Sequence, residues 1–451
     1  MRIHFIAIGG AVMHNLAIAL KRQGYVVSGS DDKIADPAKT NLEKEGLMPS
    51  DIGFFEQKIT PEIEAIILGM HARIDNLELV KAQSLGIKIY SFPHFVYEFA
   101  KEKKRIVVAG SHGKTSITSM IMHVLKQQGM SFDYMVGAAV KDFDTAVKLS
   151  NEAPIIILEG DEYLASPLHL ESKFMFYAPH LSIVSGVAWD HINVFPVYKD
   201  YVHQFAKLFS ITSDRIVYFE GDSELQQIAK DYKGSANLIS YNSPSFNVDN
   251  EKTFVKVDDN IYPLQVFGEH NLQNIEAARE ACAYLGVNKD AFYKAIGSFE
   301  GAANRLQKLA EKGNTIVFKD FAHSPSKLKA TVKAVRSQYP ERKIIAIMEL
   351  HTFSSLNKAF WEQYKDSMDD ANDAVVFIDS ETLRLKNMQI ENVEELPKHF
   401  NKGTLVVIQQ KEDLEKYLLN QHYENTVLLL MTSGTFGGLS ISNLIEAIFE
   451  S

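Results

Sequence analysis

The chain has 451 residues, too many for one ordinary core, and that length predicts about three domains. With 46% hydrophobic and 23% charged residues it is a globular rather than a disordered protein. Its net charge of −10 gives no overall electrostatic footprint for nucleic acid, and its single cysteine, Cys282, excludes an intrachain disulfide.

No apolar run approaches the roughly 20 residues needed to span a bilayer, so membrane insertion is not expected. The opening MRIHFIAIGG reads as a first strand running into a glycine turn rather than as a signal peptide. A cytoplasmic protein is the expectation, and the sequence is silent on oligomeric state.

Residues 1–101 begin with a strand over Ile3–Ile8, the turn Gly9-Gly10, and a helix closed by Gly24. A second strand, Tyr25–Ser28, ends at Gly29-Ser30-Asp31-Asp32. A glycine turn followed about 20 residues later by an acidic residue is the arrangement of a Rossmann-like nucleotide domain. The fingerprint is incomplete, because Ala7 and Val12 stand where glycines belong. Further βα alternation follows through Ile66–Leu68, with His71 in the next turn, and Ile87–Tyr90. Which nucleotide this domain takes stays open, and tight βα turns without a ligand would look the same. Residues 101–104, KEKK, read as a solvated connector and a hinge.

The second domain, 102–301, carries the stretch that organises the chain, RIVVAGSHGKTSITSMIMHVL at 105–125. A buried strand, Ile106–Ala109, meets the turn Gly110-Ser111-His112-Gly113-Lys114-Thr115, and apolar residues then recur at helical spacing. Glycines let backbone N–H groups curl around phosphate, the helix N-terminus adds positive potential, Lys114 supplies charge, and the Thr115 hydroxyl can hold Mg²⁺. The spacing is the short G-x-x-G-K-T, since Val108 replaces the usual first glycine.

A second apolar strand, Ile155–Leu158, ends in Glu159-Gly160-Asp161-Glu162, three carboxylates that are costly to crowd unless a cation joins them. An acidic Mg²⁺ ligand belongs at that point of a phosphate-binding domain, although a solvated acidic turn reads alike. After a strand at Ser182–Val184, Asp190-His191 could give a further metal ligand. Peripheral strands are expected at Lys233–Ser240 and Thr253–Val257. Asn271 and Asn274 precede an alanine-rich helix at 275–285, either to face adenine or to cap the helix.

Residues 302–451 read as a doubly wound α/β domain. Its strands are expected at Thr315–Phe318, Ile344–Met348, Ala374–Ile378, Leu405–Ile408 and Val427–Met431. At their C-terminal ends, where ligands collect, lie Asp320, His323, His351 and Ser433, with Arg305 as a phosphate clamp. ATP chemistry beside a second nucleotide site suits an enzyme that phosphorylates a nucleotide-linked acid and lets an amine attack. His323 or His351 could assist loss of the amine's proton. A nicotinamide oxidoreductase would explain the first domain but leave the Lys-Thr cradle idle.

The separated motifs GSHGKTS, EGDEY, WDH, GEHNLQN, Arg305 and DFAHSP resemble, in order and over all three domains, the Mur ligases, ATP-dependent amide-forming enzymes of peptidoglycan synthesis and recycling. The resemblance implies that Gly110, Ser111, His112, Gly113, Lys114, Thr115 and Ser116 bind the ATP phosphates. It implies Mg²⁺ held by Thr115, Glu159 and His191. Asn271, Asn274, Arg305 and Asp320 would hold ATP, with Phe321 against adenine and His323 near the γ-phosphate. Lys114, Glu159, His191 and His323 would be the catalytic set. Gly9, Gly10, Ser30, Asp31 and His71 would bind the UDP part of UDP-N-acetylmuramate, and His351 and Ser433 the amine. Ala206, with Lys207 beside it, occupies the place of the lysine that some branches carbamoylate, so that modification is not expected.

His112 and DFAHSP resemble the branch that acts on bare UDP-N-acetylmuramate. One activity there adds L-alanine; the other attaches recycled L-Ala-γ-D-Glu-meso-diaminopimelate in one step. The segment Glu171–Pro179 and the opening HFIAIGG resemble the second, which is the expected function.

Overall fold

The computed structural model describes residues 1–189, 194–385 and 392–450. By contact the chain forms two compact units, Met1–Asn242 with Asn274–Ile296, and Ser243–Gln273 with Gly297–Ser451.

The first unit holds two sheets. Strands β1 (Arg2–Ile6), β2 (Val26–Ser30), β3 (Ala65–Leu68) and β4 (Lys88–Ser91) form an all-parallel sheet in the order β2-β1-β3-β4. A seven-stranded sheet follows. It is built from β5 (Lys104–Ala109), β6 (Asp133–Met135), β7 (Val147–Lys148), β8 (Ile155–Glu159), β11 (Leu181–Val184), β12 (Arg215–Phe219) and β13 (Asn237–Tyr241), in the order β13-β12-β11-β5-β8-β6-β7. Only β7 runs antiparallel to its neighbour there. The intervening β9 (Leu164–Ser166) and β10 (His169–Ser172) form a separate hairpin. Strand β5 lies at the centre, and Ile106, Val107, Val108 and Ala109 are fully buried, as a parallel strand covered on both faces requires. One continuous hydrophobic core runs through both sheets of this unit.

The expected solvated connector at 101–104 is exposed at Lys101, Glu102 and Lys104 but not at Lys103. Lys104 begins β5, and Lys103 is buried. The Lys103 ammonium donates to Ser150 O and Ala153 O, both at 2.6 Å, and lies 3.0 Å from the fully buried Asp133 carboxylate. The Arg105 guanidinium adds bonds to Ala100 O, Lys101 O, Lys103 O and Tyr177 O. Lys103, although it lies in a charged run, is thus a partner for otherwise orphaned carbonyls. Lys103→Ala leaves Asp133 buried without its cation and is expected to cost about 3–5 kcal/mol. Thermal unfolding checks this, and a melting temperature equal to the parent's would refute it.

In the second unit, β14 (Phe246–Asp249), β15 (Lys252–Val257) and β16 (Asn260–Leu264) make a small antiparallel sheet. The expected strand at Thr253–Val257 is therefore the middle of its own meander. The larger sheet uses β17 (Gln307–Lys312), β18 (Thr315–Asp320), β19 (Lys343–Glu349), β20 (Asp373–Phe377), β21 (Val406–Ile408) and β22 (Thr426–Met431), ordered β17-β18-β22-β19-β20-β21. All pairings are parallel except that of the edge strand β17, which the sequence reading missed. The helix expected at 275–285 spans Glu269–Tyr284. Among the described residues no helix is long and apolar enough to cross a membrane.

Candidate active site

The turn after β5 is shaped by two glycines in the left-handed region, Gly110 at φ 120° and Gly113 at φ 74°. Neither can carry a side chain. A Cβ on Gly110 would stand 2.5 Å from Ser185 Oγ, and one on Gly113 would stand 2.3 Å from Asn274 Oδ1. Gly113 precedes the helix Lys114–Gln127, whose first turn contains no acidic residue, so its N-terminal potential is left for a ligand. The Ser111 N–H donates to Gly186 O (2.9 Å), and the Ser185 hydroxyl donates to His112 O. Ser116 is buried in the first helical turn. Asn274 thus packs against the phosphate turn.

Register explains the acidic partner. Val108 on β5 pairs with Glu159 on β8, so Glu159 lies level with the start of the turn. Its Oε1 accepts from Thr115 Oγ1 at 2.9 Å and its Oε2 from the Gly137 N–H at 2.7 Å. Cations join the other two carboxylates: Lys173 reaches Asp161 at 2.5 Å, and Lys114 reaches Glu162 at 2.6 Å. Glu159 alone of the three has no lysine partner among the described residues. A hydroxyl and a carboxylate oxygen adjacent to a phosphate turn are hard oxygen donors, the set that Mg²⁺ takes. His191, the third expected ligand, and Asp190 lie outside the described residues.

Burial would lower the Lys114 pKa, but Glu162, Asp161 and Glu159 outweigh it and hold the ammonium well above the usual lysine range. The Tyr177 hydroxyl is fully buried and has no hydrogen-bond partner among the described residues. Burial pushes its pKa up, and Asp161 and Glu159 push it further.

In the first sheet, the structure brings Gly9, Gly10, Ser30 and Asp31 together. The Gly9 N–H donates to Asp31 Oδ2 at 2.7 Å, Gly10 stands at the N-terminus of the helix Ala11–Arg22, and Lys58 reaches Ser30 Oγ at 3.2 Å. His71 is exposed in the loop after β3. Ala7, where a glycine was expected, adopts φ 68°. This is the left-handed conformation that favours glycine, a strain of the kind found at ligand sites.

In the second unit, Arg305, Asp320, Phe321 and His323 come together. The Arg305 guanidinium lies 4.6 Å from the Phe321 ring centroid, and the His323 ring is 4.9 Å from the same ring. Asp320 accepts from the Leu306 N–H (2.9 Å) and from Thr331 Oγ1 (2.6 Å), so it also holds the loop that presents Arg305. Asn304 and Leu306 flank Arg305 at φ 55° and 46°. Asn271 donates its amide to Phe267 O at 2.9 Å within the start of its helix.

His351 and Ser433 follow β19 and β22, which pair in parallel with Met348 beside Met431. Between them lies a residue the sequence reading did not select. Glu349, 1% exposed, accepts from Thr432 Oγ1 and from the Phe436 N–H, and His351 Nδ1 stands 3.8 Å from it. A Cβ on Gly434 would reach within 2.6 Å of His351 Nδ1 and 2.8 Å of Glu349 Oε2, so all three converge. The Ser433 hydroxyl is buried with no partner among the described residues. The sequence signal for Glu349 is that it closes the apolar run Ile344–Met348.

Comparisons with known proteins identify the family. Three family models match in order: "Mur ligase family, catalytic domain" over residues 2–104, "Mur ligase middle domain" over 108–282, and "Mur ligase, glutamate ligase domain" over 304–434. A UDP-N-acetylmuramate--L-alanine ligase of Caldicellulosiruptor saccharolyticus is 28% identical, covering 100% of this chain and 98% of that protein. The Haemophilus influenzae UDP-N-acetylmuramate--L-alanyl-gamma-D-glutamyl-meso-2,6-diaminoheptandioate ligase is 27% identical, covering 97% of each. The crystal structure of a murein peptide ligase from Psychrobacter arcticus superposes with a TM-score of 0.69 at 22% identity, covering 99% of this chain and 98% of that one. With three matched models spanning nearly its whole length, the chain belongs to the Mur ligase family, whose members are ATP-dependent, amide-forming ligases with three α/β domains.

Proposed function

We propose that the protein joins the lactyl carboxylate of UDP-N-acetylmuramate to the amino group of L-Ala-γ-D-Glu-meso-diaminopimelate, converting ATP to ADP and phosphate. The observation that carries the ligase reading is the phosphate turn, with Lys114 at its base and the Thr115–Glu159 pair beside it. The carboxylate oxygen bonds to the γ-phosphorus as the bond to ADP breaks; the amine nitrogen then bonds to the acyl carbon, phosphate leaves, and the ammonium proton is lost. The Gly110–Ser116 backbone and Lys114 would hold the phosphates and meet the charge that develops on them. Thr115, Glu159 and His191 would hold Mg²⁺, which when bound screens phosphate charge. Asn271, Asn274, Arg305, Asp320 and Phe321 would orient ATP, with His323 near the transferred group. Gly9, Gly10, Ser30, Asp31 and His71 would take the UDP moiety. His351 and Ser433, joined by Glu349, would take the amine substrate, with the imidazole as proton acceptor.

The tripeptide is preferred because the segment Glu171–Pro179 and the opening HFIAIGG resemble the tripeptide-adding branch, to which the Haemophilus influenzae relative belongs. The L-alanine ligase of peptidoglycan synthesis is the second reading, favoured by the alanine-ligase relatives. Turnover with UDP-N-acetylmuramate, ATP and each amine in parallel tests both. The tripeptide is expected to give amide and ADP at least tenfold faster than L-alanine; the opposite ratio would assign the alanine activity, and product with neither would reject the ligase assignment.

A further inference from the structure

We propose that Glu162 is a positioning residue that fixes the Lys114 ammonium in the phosphate cradle and ties it, through Tyr201 and Ser111, to the turn after β11. The proposal rests on the ligase reading above and concerns Glu162 and Tyr201, which that reading leaves without a role.

A lysine ammonium has three donors. Among the described residues, one goes to Gly110 O at 2.8 Å and one to Glu162 Oε2 at 2.6 Å, which leaves the third for a phosphate oxygen. Glu162 is fully buried with the lysine in place, so moving the lysine away uncovers a carboxylate that is otherwise shielded from solvent. Removing one partner of such a pair strands a charge in a poorly solvated site. Lys114 therefore works from where it stands, and Glu162 decides where that is.

The other Glu162 oxygen extends the hold. Its Oε1 accepts from the Tyr201 hydroxyl at 3.2 Å, and Tyr201 is itself fully buried. An ionised carboxylate only accepts, so the Tyr201 proton points to Glu162. The 2.7 Å contact between Tyr201 and Ser111 then has Ser111 as donor, and Ser111 Oγ accepts from the Ala188 N–H at 2.8 Å. The bonds run one way, Ala188 to Ser111 to Tyr201 to Glu162, and meet Lys114 at the end. Chains aligned in this manner strengthen one another. A phosphate that draws on Lys114 thereby acts on the Gly186–Ala188 turn as well.

Full-length Glu162→Gln and Tyr201→Phe proteins test this. Glutamine keeps the size and one acceptor but removes the charge. MgADP affinity by calorimetry is expected to stay within threefold of the parent or to tighten, because the anion now meets an unopposed ammonium. The kcat for amide formation is expected to fall at least fivefold. A smaller fall, or MgADP affinity weakened more than threefold, would overturn the proposal. If thermal unfolding shows that Glu162→Gln does not fold, Tyr201→Phe is read by the same criteria. A parent protein that binds MgADP but forms no amide would reject the reaction and leave the binding criterion to decide this inference.

Discussion

Lys114→Ala is expected to lower kcat for ADP release, measured with both UDP-N-acetylmuramate and the amine present, by about 10²–10³-fold or more. The ammonium sits at the base of the glycine turn, where it bonds Gly110 O, and the next lysine of the acidic cluster, Lys173, is committed to Asp161. The substitution also strands the Glu162 carboxylate, which is expected to cost about 3–5 kcal/mol of stability. The two effects are separable. Lys114→Ala combined with Glu162→Gln removes the stranded charge, so thermal stability should recover while turnover stays low. Turnover within tenfold of the parent in the single variant would remove Lys114 from the chemistry.

Legibility in the sequence followed burial. Strands β5, β8, β18, β19, β20 and β22 are covered on both faces and read as unbroken apolar runs, which is why they were found. The edge strand β17, QKLAEK, has no such run and was missed. The helix Glu269–Tyr284 was begun six residues late because its first turns, EHNLQN, are polar. Within the site, the glycine turn, Lys114, Thr115 and Glu159 were legible because local spacing specifies them. Glu162 and Tyr201 were not singled out, since their pairing joins residues 48 and 39 positions apart. Lys103 misled for a related reason: a charged run predicts solvent only when no buried carboxylate waits across the fold, and Asp133 does.

The acidic cluster ends in a discriminating experiment. Of its three carboxylates, Asp161 faces Lys173 and Glu162 faces Lys114, whereas Glu159 faces a hydroxyl and a backbone N–H. Glu159→Gln can preserve both of those contacts: the amide oxygen still accepts from Gly137, and the amide nitrogen can donate to Thr115 Oγ1. Folding should therefore be kept, and what is lost is the anionic oxygen that a divalent cation needs. ADP titrated with and without Mg²⁺ should then show the parent gaining affinity from the metal and the variant gaining at least tenfold less, with kcat down by about 10²–10³-fold, the scale on which removing one stabiliser of developing charge acts. Asp161→Asn should instead leave the Mg²⁺ dependence of ADP affinity near the parent's, because that carboxylate is already paired with Lys173. If the asparagine variant loses the metal effect and the glutamine variant keeps it, Asp161 rather than Glu159 is the magnesium ligand.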